Sequence, residues 1–399
     1  MLSFVKYSKC MFFKSRTLDW ESKVGSSCLP CISKHCYVGG GYELYSIECY
    51  VTVIRVFIQV RTFSVIRGLL VLLHKPVLKT DIYCICSVQV VGRGCYGNVW
   101  MGQLIDQCAA VKQLSLNNRQ NFLNERDIYR LPMMEHENIA RFIDATERQL
   151  PGKAPELLII LEYYPLGSLN NFLKHKSCNW PEACRMAHSI TRGLSYLHTE
   201  RLYKPAIAHR DLNSRNVLVH SDGTCAISDF GMAMALSRPF SGPLEEETAA
   251  IAEVGTYRYM APEVLDGAIN LSDHQTALKQ VDVYALGLMY WELFSRCSDI
   301  FSGHVAPPFS LAFEAELGSH PTFDEMQQLV ARERHRPVFP ASWQDDPLAL
   351  AYLKLVIEEC WEQDAEARIT ACCAEERMKE LGELRPLCLS VVSSLCTAT

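Results

Sequence analysis

Between residues 206 and 219 the chain reads AIAHRDLNSRNVLV, a charged knot set between two apolar stretches. The apolar flanks predict short buried strands, which would hold His209, Arg210, Asp211 and Asn216 on the rim of a packed frame. Asp229-Phe230-Gly231 follows thirteen residues after Asn216, and Ala261-Pro262-Glu263 about thirty residues beyond that. No other feature of the chain limits its fold so tightly, because one scaffold must gather three polar clusters in this order and at these intervals.

A fourth cluster lies upstream. Gly92-Arg93-Gly94-Cys95-Tyr96-Gly97-Asn98-Val99 has the form G-x-G-x-x-G-x-V. Glycines let a backbone approach an anion and turn N–H groups toward it. A dinucleotide site needs a helix directly after such a loop. Here a strand pattern, VWMGQL, follows instead, which favours a hairpin lid over a nucleotide; a plain hairpin is the alternative. Cys95, on this loop, reads as a small residue at a tolerant position rather than a reactive thiol.

Lys112 closes the apolar run Ala109-Ala110-Val111, and a half-buried lysine needs an anionic partner. Glu125, in the helical stretch NFLNERDIY, lies thirteen residues on. Each alone reads as an ordinary surface charge. After a glycine loop, the pair reads as a cation for phosphates steadied by a carboxylate. Leu161-Glu162-Tyr163-Tyr164 ends an apolar strand. Backbone groups of Glu162 and Tyr164 suit an adenine edge, with Leu161 lining the pocket behind; an interlobe linker is the plainer reading.

The pattern places strands at 88–91, 98–104, 109–114 and 157–164 and a helix over 118–131, then mostly helices to about 384. Strands first and helices later predict an α+β protein of two unequal lobes: 87–161, a joint at 162–166, and 167–384, with a tail at 385–399. Residues 1–86 show no sustained period and remain unassigned. They carry eleven Lys and Arg against five Asp and Glu, so the rest of the chain is acidic. The overall charge of −6 gives no reason to expect a nucleic-acid partner. The N-terminus shows no clear signal peptide.

The stretch 51–73 is long enough to span a bilayer, but Arg55, Arg61 and Arg67 interrupt it. A central arginine costs about 2.5–3.5 kcal/mol and the outer two somewhat less, against about 0.3–0.6 gained by each apolar residue, so the sum is near zero and the span is marginal. The 18 cysteines lack disulfide-style spacing and read as reduced thiols. Cys360, Cys372 and Cys373 fall in helical patterns and are expected in the core. Cys28, Cys31 and Cys36 with His35 lack a second pair at zinc-finger spacing, so a zinc site is disfavoured.

Taken together, the motifs resemble the set carried by eukaryotic protein kinases, over residues 87–384. The resemblance implies a bilobal kinase fold with a β-rich N-lobe and a helical C-lobe, using ATP and Mg²⁺ (or Mn²⁺). It implies that Asp211 orients the acceptor hydroxyl and takes its proton, and that Asn216 and Asp229 hold the metal. Lys112, paired with Glu125, binds phosphates beneath the lid of Gly92, Gly94 and Gly97. Val99, Ala110, Leu161, Glu162 and Tyr164 surround the nucleotide. Glu263 and Arg368 form a buried ion pair, and Asp282 braces the catalytic loop. Arg210 is the partner for a phosphate in the segment before Ala261, a charge that Glu245-Glu246-Glu247 could supply permanently; a solvated loop face is the simpler reading of that run.

Asn213 stands where serine/threonine kinases usually carry lysine, and Arg215 stands where many tyrosine kinases carry arginine. The segment Val254-Gly255-Thr256-Tyr257-Arg258-Tyr259-Met260 decides between them. Its Gly-Thr-x-x-Tyr form resembles serine/threonine kinases, in which the threonine hydroxyl, here Thr256, bonds the catalytic aspartate. NRQNFLNERDIYRLPMMEHENIARFI, EVGTYRYMAPEVLDGAINL and ECWEQDAEAR resemble type II receptor kinases of the TGF-β superfamily, nearest the anti-Müllerian hormone and bone morphogenetic protein branch.

That family implies a plasma-membrane receptor with a cysteine-rich ectodomain, one membrane helix and a cytosolic kinase. It implies a hormone of the superfamily as ligand and a type I receptor kinase as substrate. The chain departs from this plan before residue 87, where no ectodomain is recognisable; a truncated or wrongly assembled N-terminus is expected, and the chain as written could be cytosolic. The alternative is a catalytically weak pseudokinase scaffold in the same receptor complex. Such a scaffold normally lacks Lys112, Asp211 or Asp229, and all three are present.

Overall fold

The structure, a computed structural model, describes residues 35–38, 42–45, 86–94, 97–104, 107–149, 152, 155–236, 254–344 and 348–384. Cys28, Cys31, the stretch 51–73, Cys95, Glu245–Glu247 and the tail 385–399 lie outside these residues. The chain divides into two compact units, 1–82 and 83–399. In the first, strands β1 (His35–Val38) and β2 (Tyr42–Tyr45) form an antiparallel pair. Everything that follows belongs to the second.

That unit opens with a five-stranded antiparallel sheet. Its strands are β3 (Cys86–Gly94), β4 (Gly97–Gln103), β5 (Cys108–Leu114), β6 (Phe142–Arg148) and β7 (Glu156–Glu162), in the order β3-β4-β5-β7-β6. Four coincide with strands expected from the sequence. The fifth, β6, was not read there: FIDATER is only half-buried along most of its length and shows no clean alternation. The expected helix at 118–131 is α1 (Arg119–Tyr129), entered through a short 3-10 turn at Leu116–Asn118. The strand expected to run to Tyr164 ends at Glu162.

The helical part contains α2 (Leu169–His175), α3 (Trp180–His198), α4 (His274–Phe294), α5 (Ala349–Cys360) and α6 (Ala371–Glu383). The start of α3 is set by a reciprocal cap. The Asn179 side chain accepts from Glu182 N at 2.9 Å, and the Glu182 carboxylate accepts from Asn179 N at 2.9 Å. Such a cap stabilises a helix by about 1 kcal/mol. Trp180 then donates its indole N–H to Leu384 O, tying the start of α3 to the end of α6.

α4 is buried around almost its whole circumference, so it is a core helix rather than an amphipathic one. At Gly287 an added Cβ would lie 2.9 Å from the Cys360 Cβ, so glycine there lets α4 and α5 approach. The polar residues α4 buries, Gln280, Asp282 and Glu292, each have a bonding partner described below or one in the surrounding core. Of the three helical cysteines expected inside, Cys360 is buried, Cys373 is half-buried and Cys372 is exposed. The correction has a simple cause: α6 packs only one face, and position 372 lies off it.

The two apolar flanks of the charged knot form β8 (Ile207–Ala208) and β9 (Val217–Val219), as expected. β9 pairs with β10 (Cys225–Ile227), and β8 pairs with β11 (Met234–Ala235). These two small ribbons carry the loops that hold Asp211, Asn216 and Asp229.

Candidate active site

Strand register sets the upper wall of the site. Lys112 on β5 stands opposite Val99 on β4 and Ile159 on β7. Ala110, two residues earlier, stands opposite Met101 and Leu161. Directly opposed residues share a face, as do residues two apart. Val99, Ala110, Lys112 and Leu161 therefore line one face of the sheet. Gly92 pairs with Val99, and Gly94 with Gly97, at the β3–β4 turn. A Cβ on Gly97 would fall 1.8 Å from Gln113 O, so only glycine lets the start of β4 lie against β5.

From that wall the Lys112 ammonium reaches Glu125 Oε2 and Asp229 Oδ1, each at 2.8 Å. Burial lowers the lysine pKa, but Asp229 and Glu125 outweigh it, and the net shift is upward. The Glu125 side chain is wholly buried; burial pushes its carboxyl up to about 7, against the pull of Lys112. Asp229 also feels burial, but Lys112 dominates and holds its pKa below the usual carboxylate value. One cation is thus shared by two carboxylates, of which Asp229 is the more acidic.

The lower wall is the loop between β8 and β9. Asp211 Oδ1 accepts from Thr256 N (2.9 Å), Thr256 Oγ1 (2.8 Å) and Asn213 Nδ2 (3.1 Å). Asn216 Nδ2 donates to Asp211 Oδ2 at 3.1 Å and to Asp211 O at 2.8 Å. Burial raises the Asp211 pKa, and the Thr256 bonds partly offset it. Asn216 O accepts from Ser228 N, which brings Asp229 beside this loop.

His209 donates from Nε2 to Ser228 O at 2.9 Å and accepts at Nδ1 from Asp211 N. Asp282 accepts from His209 N (2.7 Å), Arg210 N (2.8 Å) and His198 Nε2 (2.9 Å). Those two backbone bonds hold Arg210 at a positive φ of 68°.

At the joint after β7, Glu162 N donates to Arg141 O and Gly167 N donates to Tyr164 O. Arg141 N donates to Tyr164 Oη, and burial, opposed by that bond, raises the Tyr164 hydroxyl to about 12. The tyrosine side chain is therefore structural, and any ligand contact at this position falls to the backbone. Farther off, Arg368 grips Glu263 with both guanidinium nitrogens at 2.7 Å. Lys112, Glu125, Asp229, Asn216 and Asp211 are thus brought together by direct bonds and the Asn216–Ser228 link, Asp282 braces their loop from within the core of α4, and Glu263 pairs with Arg368 in the helical part.

The sequence did not single out Glu292 or Asn124, and it marked Tyr259 only as the tyrosine of the Gly-Thr-x-x-Tyr form. Tyr259 Oη donates to Glu292 Oε1 at 2.6 Å and lies 3.1 Å from Ser214 Oγ, linking the Asp211 loop to α4. A glutamate inside the apolar run of α4 was the available signal. Asn124 lies next to Glu125 on α1 at a half-buried position, where a weak helix former stands without an evident reason.

A sheet-backed lysine held by a helix carboxylate, facing an Asp-Asn loop and an Asp-Phe-Gly turn, is the arrangement of a phosphotransferase cleft. The protein kinase domain family matches residues 86–379, and the chain belongs to that family. Such domains in general use ATP and a divalent metal ion.

Among curated proteins the chain is 43% identical over 307 residues to an anti-Müllerian hormone type-2 receptor of Oryctolagus cuniculus, covering 74% of this chain and 54% of that protein. The human receptor of the same name is 43% identical over 308 residues, 75% of this chain and 54% of that protein. Activin receptor type-2A of Gallus gallus is 41% identical over 302 residues, 74% of this chain and 57% of that protein. The chain therefore spans about half the length of the curated relatives it matches. Among the described residues, no helix is long and apolar enough to cross a membrane.

Proposed function

We propose that residues 87–384 are a receptor-type serine/threonine kinase domain, which transfers the γ-phosphate of ATP to serine or threonine of a type I receptor kinase. The observation that carries this reading is the Lys112 ammonium at 2.8 Å from both Glu125 and Asp229, beside an Asp211 bonded to Asn216. The relatives, named as hormone and activin type-2 receptors, support a place in TGF-β superfamily signalling of the anti-Müllerian hormone or bone morphogenetic protein kind. They also support a plasma-membrane setting, with this domain on the cytosolic side and a hormone ligand bound elsewhere in the full protein.

The donor set fits a nucleotide with Mg²⁺. Asp229 offers a carboxylate, and Asn216, with its Nδ2 committed to Asp211, offers an amide oxygen; both are hard oxygen ligands that suit Mg²⁺ or Mn²⁺. Lys112 would neutralise phosphate charge, with Glu125 fixing its direction. The backbone of Gly92, Gly94 and Gly97 would cover the phosphates. Glu162 O and Tyr164 N would meet the adenine edge, with Val99, Ala110 and Leu161 against its faces. The metal, when bound, neutralises charge that builds on the transferring phosphoryl group.

Asp211 does the remaining work. Thr256 fixes its Oδ1, so the carboxylate is aimed before substrate arrives, and burial raises its proton affinity. It orients the acceptor hydroxyl and takes its proton. Thr256 occupies space beside Asp211, and that favours a short aliphatic alcohol over a phenol.

Incubation of the full chain with labelled ATP, Mg²⁺ and a type I receptor kinase domain tests the reading. Label is expected on serine and threonine and absent with the Asp211→Asn variant. Equal labelling by both chains, or label on tyrosine alone, refutes it.

A further inference from the structure

The turn that carries Asp229 is held from α1 by one side chain to which no role has been given. Asn124 Nδ2 donates to Ala233 O at 2.8 Å and reaches Phe230 O and Gly231 O at 3.1 Å each. Phe230–Met232 is a single 3-10 turn that starts at Asp229, and Ala233 caps its end. The last carbonyls of so short a turn have few partners within it. Asn124 supplies the missing donor, and does so from the residue beside Glu125.

The consequence is geometric. Lys112 is positioned by Glu125 from α1 and by Asp229 from the turn. Those two carboxylates can share one ammonium only while helix and turn keep a fixed spacing. Two of the contacts between them differ in kind. Phe230, wholly buried, meets the Tyr129 ring edge-on at 4.9 Å. This apolar contact resists separation but tolerates sliding and rotation, since dispersion has little directionality. The Asn124 amide is directional, because its N–H vectors lie in a plane and must meet carbonyl oxygens. It therefore fixes the rotation of the turn about α1, the motion that would swing Asp229 away from Lys112 and Asn216.

We propose that Asn124 is a positioning residue for phosphoryl transfer: it clamps the Phe230–Ala233 turn to α1 and so sets where Asp229 presents its carboxylate to the metal-bound nucleotide. The inference rests on the kinase reading above. It assigns Asn124 no contact with substrate. Its effect is exerted wholly through Asp229 and the Lys112–Glu125 pair.

The test uses the full chain and four proteins: parent, Asn124→Ala, Glu125→Gln and the double variant. With casein as acceptor, kcat and the KM for ATP are measured, and thermal midpoints are recorded alongside. Small misplacements of catalytic groups cost about ten- to a hundredfold, so Asn124→Ala is expected to lower kcat/KM about tenfold or more. Because both residues act on the same carboxylate–ammonium cluster, the double variant is expected to be no more than about twofold worse than Glu125→Gln alone.

Asn124→Asp provides the second variant. It keeps the shape but offers acceptors to carbonyl oxygens, so it is expected to be at least as impaired as Asn124→Ala, even if that variant folds poorly. Parent-like kcat/KM in Asn124→Asp overturns the proposal, and so do losses that multiply in the double variant, which a general loss of packing would produce. A parent chain without phosphoryl transfer overturns the kinase reading and this inference together; an active parent matched by active Asn124 variants overturns the inference alone.

Discussion

Two groups of buried charge stand in the kinase unit, and they are satisfied in different ways. Around Asp282, every contact is made by a donor that cannot leave: two backbone N–H groups and the ring of His198. Glu263 is matched by both terminal nitrogens of Arg368, which also donates to Gln280 O and Glu362 O. Around Lys112 one ammonium is divided between two carboxylates, and Asp229 sits at a left-handed φ of 66°. The first group has nothing left to bind. The second is under-supplied with positive charge, which is what a cleft needs if a metal ion and a polyphosphate are to enter it. Saturated charge marks architecture, and charge in deficit marks chemistry.

The widest separation is expected from Asp211→Asn. The amide oxygen still accepts from Thr256 while its NH2 loses the Asn216 bond, so stability should shift by no more than about 1–3 kcal/mol. On the proposed role of Asp211 as the base, kcat should fall about a thousandfold. A large fall in thermal midpoint with modest loss of rate would place Asp211 with the architectural group instead.

The converse is expected from Arg368→Met. It leaves Glu263 without its partner, and breaking one side of a buried ion pair costs about 3–5 kcal/mol. Urea unfolding should show that loss, while kcat per folded molecule stays within about threefold of the parent. The Asn124 variants stand between these extremes, since they should affect rate more than stability but act through neighbours.

Much of this was legible from residue order, and the reason is local. Asp211, Asn216 and Asp229, to which the chemistry is assigned under the proposed function, sit on short loops whose flanking apolar triplets, such as Val217–Val219 and Cys225–Ile227, announce buried strands. Lys112 was legible because a lysine at the end of an apolar run needs a partner. What escaped was set by tertiary pairing. The strand Phe142–Arg148 is held by its register with β7 rather than by its own pattern. Asn124 bonds carbonyls more than one hundred residues away, and no spacing rule reaches that far. Cys372 was misplaced because helical periodicity shows which residues share a face but not which face meets the core.

The smallest expected effect tests the charge deficit through pH. Glu125 has its carboxyl raised from 4.5 to about 7, first by burial and against the pull of Lys112. A raised folded pKa means the folded chain binds that proton more tightly than the unfolded one. The stability contributed by this group is therefore full below about 4.5 and is lost as the pH rises through about 7. Asp229, with its pKa lowered, works in the opposite sense and at lower pH: its contribution is present above its unfolded value and is lost on acidification, so the two windows separate. Glu125→Gln fixes the uncharged state and removes the first window. Relative to the variant, the parent should lose thermal midpoint as the pH is raised from about 5 to about 8, by a few degrees at most for a unit of this size. A difference that stays flat across that range, or grows in the parent's favour, would mean that Glu125 is as fully compensated as Glu263, and the contrast between the two groups of charge would fail at the residue where it is sharpest.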